Sequence, residues 1–100
     1  MTKIKRYVED IADELEGAKH YIETALEYKA MNDGDRYNGY KAMSQAEIEH
    51  ANRLHQYAVQ DIEKLKAVYP EIPPDMMEKW EKAHVDYVEK AAWIKQMQAM

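Results

Sequence analysis

The sequence predicts an all-α chain: a long antiparallel two-helix hairpin followed by a third, C-terminal helix, in one domain over residues 1–100. Three observations carry this reading. Ala, Glu, Lys, Gln, Met and Leu abound, while the chain holds only 3 Gly and 3 Pro, a composition that favours helix. Apolar residues recur at helical rather than strand spacing. Turn and breaker residues gather at two places, Asn32-Asp33-Gly34-Asp35 and Pro70 with Pro73-Pro74.

The first helix is predicted over 3–31, with Thr2 as its cap. Its apolar stripe is Ile4, Val8, Ile11, Leu15, Ala18, Ile22 and Ala25, one face of a helix. Asn32 to Asp35 is turn chemistry, with Gly34 available for a positive φ. Asp35 then caps a second helix over 36–69, in which Gly39 weakens the first turns. Pro70 and Pro73-Pro74 end it and impose a short extended connector. Asp75 with Glu78 three residues on gives a capping-box-like start to a third helix over 75–98. Met77, Trp80, His84, Val88, Ala91 and Ile94 lie along one face of it. The short first connection makes helices one and two antiparallel neighbours. Two helices cannot close a four-helix core, so the third helix, a second chain, or both must cover the hairpin.

Composition also narrows function. A net charge of −5 with scattered Lys and Arg argues against a nucleic-acid partner reached through a basic surface. The absence of Cys excludes disulfides, thiolate ligands and thiol chemistry. The first thirty residues show no signal-peptide pattern, and no stretch reaches membrane-spanning length, so a cytoplasmic protein with no membrane partner is expected. Eight Tyr stand beside no Phe, for which the sequence offers no account.

The chemistry centres on helix two. Its stripe Tyr40, Met43, Glu47, His50, Leu54, Tyr57 and Asp61 brackets Glu47 and His50 with apolar neighbours, so both are expected to point inward. Burying them without a partner is costly. Glu and His three apart stand one helical turn from each other, where a carboxylate can bridge two ions and an imidazole ligate one. The bland alternative is an exposed Glu and a hydrogen-bonded core His. On helix one, Asp13, Glu16, His20, Glu23 and Glu27 form a polar stripe, which as a rule is a solvated face. With the hairpin tip at Asp33, Glu16 stands level with His50, and His20 with Glu47; Glu23 lies about two turns below Glu16 and is the weaker candidate. Glu81 and His84 on helix three are a rival pair, but their height differs from that of Glu47 and His50 by roughly 20 Å if helix three folds straight back. A plain hydrogen-bonded His84, near Tyr57 and Asp61, is the expectation; only a splayed third helix or a site between chains would recruit it as a ligand.

Leu15-Glu16-Gly17-Ala18-Lys19-His20-Tyr21, followed by Gln45-Ala46-Glu47-Ile48-Glu49-His50-Ala51, resembles the ferritin-like superfamily, and within it rubrerythrins and encapsulated ferritins. The likeness covers roughly residues 10 to 58. It implies Glu16 as the first-helix ligand, Glu47 as the bridging carboxylate and His50 as the terminal imidazole, acting on iron with oxygen chemistry. Rubrerythrins carry two such helix pairs per chain, whereas this chain has one. The tail Lys95 to Met100 is unlike the shell-docking tail of encapsulated ferritins.

Two-fold symmetry supplies the missing half. A homodimer of hairpins, or a higher homo-oligomer, completes a ferritin-like four-helix bundle and brings two copies of Glu16, Glu47 and His50 together. The expectation is a di-iron ferroxidase that oxidises Fe(II) between two subunits, with Mn or Zn as alternative metals for the same oxygen and nitrogen donors. Released Fe(III) would need storage in a larger ring or a shell partner, which leaves a protein compartment as an alternative location. The alternatives are a non-enzymatic helical assembly module and a metal carrier without oxidation activity. Tyr21, Tyr40 and Tyr57 are expected to pack, or to support the site as hydrogen-bond donors or carriers of an oxidising equivalent.

Overall fold

A computed structural model describes residues 2–100, and the expected Thr2 cap falls on a side chain outside the described residues. Three helices follow in order: α1 (Thr2–Ala30), α2 (Gly34–Val68) and α3 (Pro74–Gln98). Each predicted helix is present, its ends within two residues of the expected ones. The rod is 57 × 18 × 17 Å, its length set by α2, whose 35 residues span about 52 Å at the α-helical rise.

Local chemistry fixes each boundary, not always through the residue expected. α1 ends in a Schellman arrangement: Asp33 N–H donates to the Tyr28 carbonyl (2.9 Å) and Asn32 N–H to that of Lys29 (3.0 Å). Asn32 takes the left-handed conformation (φ 60°), and Gly34 does not. Asn tolerates that region, which leaves Gly34 free to open α2. The cap of α2 is Asp33, not Asp35: its Oδ1 accepts from Arg36 N–H (3.1 Å), and its Oδ2 from the Arg36 guanidinium (2.8 Å). Arg36 holds the Asp33 carboxyl below its ordinary pKa, mainly through its backbone N–H. At the other end Tyr69 is extended (φ −109°, ψ 125°), as a residue preceding proline must be, and α2 stops. The expected Asp75 cap is not formed. Pro73 is the N-cap, with no side-chain cap bond, and Pro74 opens α3. Proline at the first helical position lacks only an N–H that would have been orphaned, and its fixed φ starts the helix one residue early.

The core runs along the α1–α2 seam, with α3 lying on that seam and leaning mostly on α1. α1 contributes Ile4, Ile11, Leu15, Ala18, Ile22 and Ala25, the predicted stripe, with Val8 packed at its edge. α2 contributes Ser44, Ile48, Ala51, Ala58 and Ile62. This corrects the expected stripe of α2: Met43 and Tyr57 are exposed, and Tyr40 and Leu54 pack only at the margin. Ile48 and Ile62 fill the seam, and the small residues between them let two long helices approach closely. The polar one among them is satisfied: Ser44 Oγ donates to the Ala18 carbonyl (2.7 Å) and accepts from Gln98 Nε2 (2.9 Å).

That buried Gln98–Ser44–Ala18 chain joins all three helices at the C-terminal end of α3. Lys29 Nζ, from the last turn of α1, donates to the Met100 carbonyl and closes the end of α3. At the other end Trp80 is buried against the start of α1. α3 therefore folds back on its own hairpin, parallel to α1. Its buried face is Trp80, Ala91, Ile94 and Gln98 with Tyr87 beside them, whereas Val88, expected inside, is half exposed. Among the described residues, no helix covers the opposite side of the hairpin. No helix among the described residues is long and apolar enough to cross a membrane.

Candidate metal centre

The uncovered side of the hairpin carries the residues with chemistry. On α2, Met43, His50 and Tyr57 are seven apart, as are Tyr40, Glu47, Leu54 and Asp61, so both sets run as stripes along this side. On α1, Tyr7, Glu14, Tyr21 and Tyr28 make the matching stripe by the same spacing. Tyr28 stacks on Tyr40 with centroids 5.6 Å apart, and Tyr21 tilts against Tyr40 at 6.1 Å. Nearer the chain start, Lys3 pairs with Asp61 across the seam (3.2 Å). Tyr21 and Tyr40 thus pack, as the bland expectation had it.

Between these ends three ligand-type side chains converge. Glu14, Glu47 and His50 each offer a donor atom, all within 4.8 Å of one another. His50 Nδ1 lies 3.5 Å from Glu14 Oε2 and 3.9 Å from Glu47 Oε1. Each carboxylate side chain is 27% exposed and His50 is 59% exposed. The expectation that Glu47 and His50 are both buried is therefore corrected: Glu47 is half-buried against α1, and His50 looks out from the uncovered side. Their stripe flanks the seam, where the chain's own core does not reach.

The first-helix member is Glu14, and Glu16 does not join the cluster. Glu16 lies on the other flank of α1, where it lines a cleft with Lys19, Lys90 and Trp93 under α3. Two geometric facts decide this. The hairpin turns earlier than Asp33, so Ser44 stands level with Ala18 and Glu47 with Gly17; His50 then falls opposite Glu14. Two residues along a helix also rotate a side chain through about 200°, to the far side of the cylinder. The signal that would have found Glu14 is the seven-residue spacing to Tyr21 and Tyr28, which puts it on the stripe facing Glu47.

The weaker candidates stay apart from the cluster. His20 and Glu23 are exposed on α1, Glu23 within 3.9 Å of Lys19, and Glu81 is exposed on α3. His84 is hydrogen-bonded, as expected of a plain histidine, but its partner is His55 (Nδ1 to Nε2, 2.8 Å) and neither Tyr57 nor Asp61. His55 stacks on Tyr87 with centroids 4.4 Å apart and packs beside Trp80. Burial, then the neighbouring His84, lowers the pKa of His55. Sequence reading passed over His55; its seven-residue spacing from Ile48 and Ile62 marks it as a seam position.

The electrostatics of the cluster suit a cation. Glu14 Oε2 is shielded from solvent and has no hydrogen-bond partner. Glu47 is held above its ordinary pKa, first because its protonated form donates to Glu14, then by burial and by the Glu14 charge, with His50 acting in the opposite direction. Two carboxylates and one imidazole held this close leave negative charge that no Lys or Arg among the described residues pairs with. A divalent cation would supply the missing charge, and two oxygen donors with one nitrogen are a set that iron, manganese or zinc accepts. Comparison with protein families, characterised proteins and solved structures finds no match to this chain. Fold and site therefore define a class in physical terms alone: an all-α, three-helix chain with a carboxylate–histidine group able to hold a metal ion.

Proposed function

We propose that this chain is a ferritin-like ferroxidase whose Fe(II) substrate binds at Glu14, Glu47 and His50 and is oxidised between two subunits paired through the uncovered hairpin side. The observation that carries the reading is the convergence of one carboxylate from α1 with a Glu-x-x-His pair from α2. That is half the ligand set of a dinuclear carboxylate centre in a helical bundle. Partly exposed Tyr, Met and Leu side chains surround the group, and a second hairpin laid on them with two-fold symmetry duplicates it. Pairing would also cover His50 and strengthen every charge interaction in the site by excluding water.

In this scheme Glu47 and Glu14 hold the ions and lower the cost of reaching the ferric state, and His50 fixes one ion from the rim. Each Fe(II) loses one electron. Dioxygen gains two electrons and two protons and leaves as hydrogen peroxide. Iron, manganese or zinc can occupy the same donors, and only iron turns over. Homodimerisation, or a higher ring built from it, belongs to the proposal, as does delivery of Fe(III) to a surrounding shell.

Anaerobic Fe(II) titration followed by admission of air tests it. The expected result is two irons per dimer and oxidation faster than in buffer. A chain that takes up no iron, or takes it up without faster oxidation, rejects the ferroxidase. The second outcome would favour the carrier reading, which has an observation behind it: one chain already gathers three donor atoms, enough to hold a single ion.

A further inference from the structure

We propose that Gly17 is a positioning residue for the metal centre: its bare backbone forms the notch that admits the Glu47 carboxylate and sets its distance from Glu14. The inference rests on the assignment of Glu14, Glu47 and His50 as cation ligands.

Gly17 sits in the interior of α1, a 29-residue helix, where glycine is about 1 kcal/mol less favourable than alanine. No backbone requirement explains it, since no glycine here has a positive φ. Space does. A Cβ at residue 17 would stand 2.9 Å from Glu47 Oε2, 3.5 Å from its Cδ and 3.7 Å from its Cγ. The three nearest atoms all belong to the one side chain, so the notch is shaped to Glu47. Gly39, in α2, is the contrast: a Cβ there meets nothing within 4 Å.

Glu14 lies one turn before Gly17 on the same flank of α1. The Glu47 carboxylate reaches Glu14 by lying against the α1 backbone at residue 17. A methyl group there would not part the helices, because the atom it strikes is the free end of a flexible side chain. The carboxylate would swing away from Glu14 instead. Metal ligands must stand within a few tenths of an ångström of their places, so the displacement falls on binding, not on folding.

The test compares Gly17→Ala and Gly39→Ala in the full chain. Thermal melting of the metal-free protein gives stability, Zn(II) calorimetry gives affinity, and the visible spectrum of bound Co(II) reports coordination. Both variants are expected to melt no lower than wild type. Gly17→Ala alone should lose about 10- to 100-fold in Zn(II) affinity, the range for groups that orient metal ligands, with a changed Co(II) spectrum. Wild-type affinity and spectrum in Gly17→Ala would overturn the inference, as would an equal loss in Gly39→Ala. A wild-type chain that binds no Zn(II) overturns the ligand assignment and this inference together, and needs no variant to detect.

Discussion

Replacing Glu14 by Gln should stabilise the metal-free chain near neutral pH while weakening metal binding. Glu14 and Glu47 present donor atoms within 4.8 Å. Two unit negative charges at that distance repel by about 1 kcal/mol at the dielectric of water and about 3 kcal/mol at an effective dielectric near 20. With each side chain 27% exposed, solvent screening places the cost toward the lower figure, so relief of about 1 kcal/mol is expected. In a domain of this size that is a rise of about 4–8 °C in Tm. The pH dependence fixes the cause. Glu47 has a raised pKa in the fold, mainly through its contact with Glu14. Its contribution to stability is complete below the ordinary carboxylate pKa and is lost as pH rises through the raised value. Wild type should thus lose stability from this group as pH is raised from an acid value to a neutral one, and Glu14→Gln, whose amide can donate to Glu47, should flatten that fall. Circular dichroism melts in chelator at the two pH values measure both effects, and Zn(II) calorimetry measures the accompanying loss of affinity. A Glu14→Gln chain that is less stable near neutral pH, or shifted equally at both, would refute the repulsion argument.

Further outcomes follow from the same structure. Ser44→Ala should cost about 1–3 kcal/mol in denaturant unfolding, because it leaves the buried Gln98 amide without its acceptor; a change under half of that would show that the three-helix clamp is not needed. The double variant Met43→Arg/Tyr57→Arg places charges on two exposed residues that flank His50 along its stripe. It should keep wild-type helicity yet sediment as a monomer with weaker iron uptake. An unchanged dimer would move the interface elsewhere.

Much of the fold is legible in the sequence because the information is local. The α1 stripe from Ile4 to Ala25 is apolar at strict helical spacing, and its burial follows from hydrophobicity alone. The turn at Asn32 and the break at Pro70 follow from backbone chemistry. α2 is different. It is amphipathic twice over, with one flank of small residues and isoleucines (Ser44, Ile48, Ala51, Ala58, Ile62) and another of larger side chains (Tyr40, Met43, Leu54, Tyr57). Both flanks carry apolar side chains, and close approach of two long helices selects the first, where small residues stand between the isoleucines. The large flank is left on the uncovered side, carrying Glu47 and His50 with it.

The site divides in the same way. Glu47 and His50 are legible because their spacing of three is a property of one helix. The choice between Glu14 and Glu16 is not, since it depends on how far α2 slides along α1, and a slide of two residues turns the side chain to the other side of its cylinder. The sequence by itself determines three helices, their order and an α2 Glu-His pair awaiting a partner. Only the tertiary structure decides that Glu14 is the partner and that Gly17 makes room for it, because register and close approach arise between elements and are written in neither helix alone.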